Sequence, residues 1–278
     1  MARSPDRRSS ALALVVALVL LVLVVGLWAF VFLDHRQASS AQASTTGSGA
    51  GSSSSGESSS SPSPESSSSD GDEGAAEGEW SMDDAREAFA ADGSRVLVLG
   101  DETGDGWDEW AFLLAESQGM PGAMWMTQTE NGYSGVTEDT RLWSGGMTEA
   151  TADYPVEHWD PMWPSADPDL VLLSYGHHYS SEDEATQSME ELRAAIAEEA
   201  PKTPIVVVLQ NPQADDANAS VREAIAGWAE ESGLPTIDVA AAFAESDQPP
   251  DNLRLDEMHP STAGSQLWAE TVEEALAG

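Results

Sequence analysis

The C-terminal two thirds of the chain alternate between short apolar runs and longer amphipathic stretches. From residue 81 onward, five apolar runs predict buried strands: Arg95–Leu99, Ala123–Thr127, Asp169–Tyr175, Ile205–Gln210 and Thr236–Val239. Apolar positions at helical spacing predict five helices, over residues 82–91, 107–117, 182–199, 217–232 and 261–276. Short strands that are apolar throughout and alternate with helices indicate a parallel sheet covered on both faces. The pattern therefore predicts an α/β fold, a three-layer α/β/α sandwich with a flavodoxin-like parallel sheet.

Residues 11–33 show a different pattern, an unbroken run of 23 apolar residues without a charge. A helix of that length measures about 35 Å and can cross the core of a bilayer. Three arginines precede the run, which predicts a cytoplasmic tail over residues 1–10 and an extracytoplasmic remainder. A cleaved signal peptide is the alternative, because residues 41–43 (AQA) resemble a cleavage site. The run exceeds the usual signal core of about 7–15 residues, so we expect a single-pass protein of the cell membrane.

Residues 34–80 are rich in Ser, Gly, Ala and Glu and include three runs of four serines. Such a composition cannot bury a core, and it predicts a disordered, flexible linker between the membrane segment and a folded domain over residues 81–278. The expected role of this segment is to hold the domain off the membrane.

The charge of the chain is strongly unbalanced. It has 49 acidic and 11 basic residues and a formal net charge of −38. Only 7 of the basic residues follow residue 36, against 47 of the acidic ones. Such a surface repels phosphate backbones, so no binding to nucleic acid is expected. The chain has no cysteine, which excludes disulfide bonds and thiol chemistry.

Chemically active residues follow the predicted strands. In parallel sheets of this kind, ligands bind beyond the carboxyl ends of the strands. The first strand runs into residues 100–104 (GDETG), and the third runs into residues 176–179 (GHHY). Residues 256–260 (DEMHP) precede the last helix. We expect these three loops to converge.

The order of these segments resembles that of SGNH/GDSL hydrolases. Members of that family have a strand ending in Gly-Asp-Ser, a later Gly-x-Asn, and a closing Asp-x-x-His-Pro before the last helix. The similarity covers about residues 95–275. It is sharpest at the end of the chain, where Asp256-x-x-His259-Pro260 is followed by a Ser, a later Gly and a helix. The resemblance implies the SGNH hydrolase fold and an active site built for ester hydrolysis.

The resemblance also assigns roles by position. In the family, the serine attacks an ester carbonyl, the histidine takes its proton, and the aspartate orients the histidine. The serine N–H, a glycine N–H and the asparagine side chain bind the oxyanion. Carried over, His259 is the base and Asp256 its partner. Glu102 stands at the nucleophile position, His178 at the asparagine position, and Glu149 at the glycine position.

These replacements favour a pseudoenzyme over an enzyme. An acylated carboxylate is a poor route to turnover, and removing the nucleophile of a related triad costs about 10⁶-fold in turnover. We therefore expect a degenerate hydrolase domain that binds an acylated glycan or another ester of the cell envelope without cleaving it. No cofactor and no metal ligand are assigned in this interpretation.

Two alternatives place catalysis in the same cleft. In the first, the protein is an active carboxylic ester or O-acyl hydrolase whose nucleophile is Thr103, Ser174 or Ser180. In the second, it is a metal-dependent hydrolase, because two histidines with nearby carboxylates suit a divalent metal ion. The candidate ligands in that case are Asp101, Glu102, His178, Asp256 and His259. The simpler interpretation of the same residues is an ion pair between Glu102 and a protonated His259.

Overall fold

The computed structural model describes residues 79–126 and 132–278. Its sheet is formed by strands β1 to β7, which are Val96–Asp101, Gly122–Trp125, Tyr133–Ser134, Leu142–Met147, Leu170–Ser174, Ile205–Leu209 and Thr236–Asp238. Across the sheet the order is β3-β2-β4-β1-β5-β6-β7. Every neighbouring pair is parallel except β2 with β3, which is antiparallel. The predicted, mainly parallel sheet is confirmed.

Helices cover both faces of the sheet. In chain order, α1 to α9 are Met82–Ala90, Trp110–Ser117, Asp153–Glu157, Trp159–Met162, Glu182–Glu199, Ala219–Glu231, Val239–Glu245, Pro250–Leu253 and Thr262–Ala277. Alternate strand residues point to opposite faces, so each strand contributes to two apolar cores. Leu97 and Leu99 of β1 pack in the core with α5 and α6, and Val96 and Val98 pack in the core with α1, α2 and α9. This arrangement confirms the three-layer α/β/α sandwich.

The described chain enters the fold at the amino ends of the strands. The N–H of Trp80 donates to the carbonyl of Gly233, just ahead of β7, at 2.8 Å. Ser81 then caps α1 by a capping box, because its hydroxyl accepts from the N–H of Asp84 and its own N–H donates to that carboxylate. The helix therefore begins where the sequence predicts it.

The structure adds elements that were not predicted, β4 among them, and moves the start of one predicted helix. Strand β4 lies between β2 and β1 and was not predicted, because Gly145 and Gly146 interrupt its apolar run. The helix predicted over residues 107–117 begins only at Trp110. The carboxylate of Glu109 accepts from the N–H of Gly106 at 2.6 Å, and this turn occupies the expected first helical turn.

Within residues 79–126 and 132–278, no helix combines the length and apolarity needed to cross a membrane. The predicted tail over residues 1–10 and the predicted membrane segment over residues 11–33 lie outside the described residues. So does the predicted linker as far as residue 78. These three assignments stay predictions.

Candidate active site

The floor of the site is the turn that follows β1. Asp101 ends the strand and is buried, with 1% of its surface exposed. One oxygen of its carboxylate accepts from the N–H of Thr103 at 3.1 Å and from the Thr103 hydroxyl at 2.6 Å. The other oxygen accepts from Nε2 of Gln210 at 2.8 Å. These bonds fix the short 3₁₀ turn over Glu102–Gly104 and so determine where Glu102 points.

A buried histidine supports this floor. His177 Nδ1 lies 3.3 Å from Asp101 Oδ2, and its Nε2 lies 3.1 Å from the carbonyl oxygen of Asn211. Burial raises the pKa of Asp101, but His177, Thr103 and Gln210 outweigh it and hold that pKa below its usual value. Asp101 is therefore an anionic structural support. Sequence reasoning missed the roles of His177 and Gln210, because neither stands at a position that the family resemblance marks.

The carboxylate of Glu102 is held by donors on two loops. Its Oε2 accepts from the N–H of Glu149 at 2.9 Å and from His178 Nε2 at 2.9 Å. Its Oε1 also lies 3.0 Å from His178 Nε2. Burial raises the pKa of Glu102, but the hydrogen bonds from His178, from its own N–H and from Glu149 have the larger combined effect. The pKa of Glu102 therefore lies below its ordinary value. Glu102 is therefore an anion within a set of donors.

Glu149 supplies its donor from an unusual backbone conformation. It follows β4 with φ = 57°, in the left-handed region that favours glycine. Its side chain is exposed, whereas its N–H points inward to Glu102. The structure thus brings together Glu102, Glu149 and His178, the three residues that the resemblance places at the nucleophile and oxyanion-hole positions.

His259 and Asp256 form the opposite wall. His259 Nδ1 lies 2.8 Å from Asp256 Oδ2, and the other oxygen of Asp256 accepts from the N–H groups of Met258 and His259. These bonds overcome the opposing effect of burial and lower the pKa of Asp256 to about 2. Burial lowers the pKa of His259, but Asp256 first and then Glu102 raise it above its usual value. His259 Nε2 is directed at Glu102, 3.6 Å from Oε1.

Two further carboxylates lie close to this group and were missed by sequence reasoning. Burial, together with the charges of Glu102 and Asp101, raises the pKa of Asp105 to about 6. Burial also raises the pKa of Glu109 to about 7, with smaller contributions from neighbouring acids. The chain has 49 acidic residues, and nothing in the sequence distinguishes Asp105 and Glu109 from those that are solvated at the surface. The site is therefore strongly acidic, with His178 and His259 at its centre.

Each of the three alternative nucleophiles is either buried or bonded to a carboxylate. The Thr103 hydroxyl donates to Asp101 and is 1% exposed. Ser174 lies at the end of β5 and is also 1% exposed. The hydroxyl and the N–H of Ser180 both donate to Glu184. None of these contacts provides the imidazole that a nucleophilic hydroxyl needs.

Comparison with known proteins agrees with the geometry. The family model of the GDSL-like Lipase/Acylhydrolase family matches residues 90–267. None of the curated proteins matches the chain. The structure is similar to a lipase/acylhydrolase from Enterococcus faecalis, with a TM-score of 0.52, 14% identity, and coverage of 66% of this chain and 96% of that one.

A second solved structure has the same fold. It is a catalytic mutant of an acetylxylan esterase from Geobacillus stearothermophilus, with a TM-score of 0.51 and 17% identity. The match covers 68% of this chain and 96% of that chain. The family match and the shared fold confirm the resemblance seen in the sequence: the chain belongs to the GDSL-like lipase/acylhydrolase family.

Proposed function

We propose that this protein is a non-hydrolysing member of its family, a pseudoenzyme that binds an acylated glycan or another ester of the cell envelope. In this proposal residues 11–33 tether it to the cell membrane and the domain lies outside the cytoplasm. One observation carries the proposal. By the family resemblance Glu102 stands at the serine position, and its carboxylate accepts the bonds from Glu149 and His178 that an oxyanion would accept.

The carboxylate blocks catalysis in two ways. It leaves the site without an alcohol that His259 could activate. It also adds a fixed negative charge where a tetrahedral intermediate would develop one, and like charges in a poorly solvated site repel strongly. Loss of the nucleophile alone is worth about 10⁶-fold in turnover in a related triad.

The geometry of Asp256 and His259 supports a hydrolase site that has lost its nucleophile rather than a cleft unrelated to hydrolysis. Asp256 still orients His259 through Nδ1 at 2.8 Å, and His259 Nε2 still faces the nucleophile position. The fold that this chain shares with an acetylxylan esterase motivates an acylated glycan as the ligand class.

Restoring the nucleophile tests the proposal. The full-length chain, purified in detergent, is assayed for hydrolysis of p-nitrophenyl acetate beside Glu102→Ser. We expect the native chain to hydrolyse the ester only at the background rate. The rate of Glu102→Ser should be about 10²–10⁴-fold higher, because His259 can activate the new serine and a partial oxyanion hole is already in place. Glu102→Ala is the matched control, since it vacates the same space without adding a nucleophile.

The gain must depend on the retained base. Adding His259→Ala to Glu102→Ser should return the rate to background. Hydrolysis by the native chain that disappears in His259→Ala would overturn the proposal, and labelling by a fluorophosphonate would then favour the active hydrolase. The same preparations test binding. The native chain should bind an acetylated xylo-oligosaccharide more tightly than its deacetylated form, and should leave the acetyl groups in place.

A further inference from the structure

Two residues of the cleft place metal-binding atoms side by side. By the family resemblance Glu102 stands at the serine position and His178 at the asparagine position, and their side chains meet at 2.9 Å. His259 Nε2 approaches the other oxygen of Glu102 at 3.6 Å. One carboxylate thus has the Nε2 atoms of two imidazoles within 3.6 Å of its oxygens. Ligand atoms of Asp101, Glu102 and His178 lie within 4.8 Å of one another.

The spacing suits a small divalent ion. Zinc binds histidine nitrogen and carboxylate oxygen at about 2.0–2.1 Å, so two ligands of a tetrahedral ion lie about 3.3 Å apart. The contacts of 2.9 Å and 3.6 Å that Glu102 makes with His178 and His259 lie on either side of that value. Both of these ligand pairs are therefore close to the spacing that a zinc ion needs.

The surrounding residues orient these ligands. Asp256 accepts from His259 Nδ1, which leaves Nε2 directed into the cleft. A carboxylate behind a metal-binding histidine fixes the ring in this way in many zinc sites. Asp101 has both oxygens committed to Thr103 and Gln210, so it holds the turn that carries Glu102 and is less suited to bind the ion itself.

We propose that Glu102, His178 and His259 bind one Zn²⁺, with the fourth position open to solvent or ligand. Two imidazoles and one carboxylate form a donor set that catalytic zinc sites use. Without the ion, the same three side chains form the hydrogen-bonded cluster described above. The inference does not depend on whether the cleft hydrolyses esters, because it concerns binding of the ion alone.

Metal content and affinity test this proposal. The full-length chain is loaded with Zn²⁺, passed through gel filtration in excess Mg²⁺ and analysed for metal, and affinity is measured by calorimetry. Excess Mg²⁺ occupies the many surface carboxylates, since it prefers oxygen ligands, whereas a site with two imidazoles retains zinc. We expect one Zn²⁺ per chain, and a loss of affinity of at least about 10-fold in His178→Asn and in Glu102→Gln.

A matched control separates this site from general acidity. His158→Gln removes a histidine whose Nδ1 lies 2.9 Å from the carbonyl of Tyr154 and which is bonded to none of the three proposed ligands, and it should bind zinc like the native chain. Circular dichroism without metal establishes that each variant is folded. Loading with Co²⁺ adds a spectroscopic readout, because tetrahedral nitrogen ligation absorbs far more strongly than octahedral carboxylate ligation. Absence of stoichiometric zinc, or equal affinity in native, His178→Asn and Glu102→Gln chains, would overturn the proposal.

Discussion

Glu149 shows how one backbone conformation maintains the site. Its N–H donates to Glu102 from a backbone with φ of 57°, a conformation that places Cβ close to the following carbonyl oxygen. For a residue with a side chain, this costs about 1–2 kcal/mol. The exposed carboxylate of Glu149 has room outside the cleft, so the cost lies in the backbone and not in packing.

Glycine at this position should therefore stabilise the fold. We expect Glu149→Gly to raise the free energy of unfolding by about 0.5–1 kcal/mol, less than the full conformational cost because glycine also loosens the unfolded chain. Glu149→Ala removes the same charge but keeps the strain, so it should give no such gain. Urea unfolding of the three proteins measures the difference. A glycine variant no more stable than the alanine variant would show that φ at this position is not strained.

The same residues show what sequence could and could not predict about the site. The family resemblance pointed to Asp256 and His259 through their spacing of three residues ahead of a helix, and to Glu102 through its place at a strand end. Each of these motifs is local in the sequence. His177 and Gln210 act through contacts across the sheet, on a carboxylate that belongs to another strand. Such long-range contacts leave no periodic signal in the sequence.

Strand β4 is a whole element that the sequence pattern did not predict. The strands that were predicted are runs of apolar residues, whereas β4 reads Leu-Trp-Ser-Gly-Gly-Met and glycine disfavours strands. The structure supplies the reason for its glycines. A Cβ on Gly146 would lie 2.9 Å from the carbonyl oxygen of Asp101 and 3.0 Å from the N of Asp105. Because Gly146 has no side chain, the turn that carries Glu102 can pack directly against β4.

Gly146→Ala should therefore damage both stability and site geometry. We expect a loss of about 1–3 kcal/mol in the free energy of unfolding, because the methyl group meets backbone atoms that cannot rotate away. Gly227→Ala is the matched control. Gly227 is exposed inside α6 with no atom near its Cβ position, so alanine there should stabilise by about 0.5–1 kcal/mol. Thermal unfolding compares the two, and equal effects would contradict the packing described for β4.

Charge acts on the molecule as a whole. The formal net charge is −38, and much of this charge can be solvated at the surface. Asp105 and Glu109 are different, because burial raises their pKa values to about 6 and about 7. A carboxyl whose folded pKa is raised binds more protons when folded than when unfolded. The contribution of such a carboxyl to the free energy of unfolding is fully present below its unfolded pKa, near 4. It is lost as the pH rises through the folded pKa, about 6 for Asp105 and about 7 for Glu109.

The double variant Asp105→Asn, Glu109→Gln should remove this loss. At pH 8 we expect it to exceed the native chain in stability by about 1–2 kcal/mol, once solvent screening of these partly exposed groups is allowed for, and the advantage should vanish near pH 4. Unfolding is followed from pH 4 to 8 in the presence of a chelator. The exposed pair Asp108→Asn, Glu116→Gln removes the same charge from the same region and should show a smaller pH-dependent difference. An advantage independent of pH would contradict the burial argument.

The bond between Trp80 and Gly233 marks the end of the domain at which the described chain enters the fold. It lies at the amino ends of the strands, whereas Glu102 and His259 lie beyond the carboxyl ends. Any force transmitted along the preceding chain therefore acts on the base of the sheet, and the mouth of the cleft opens on the far side. A ligand can therefore enter the cleft without displacing the chain at the point where it joins the domain.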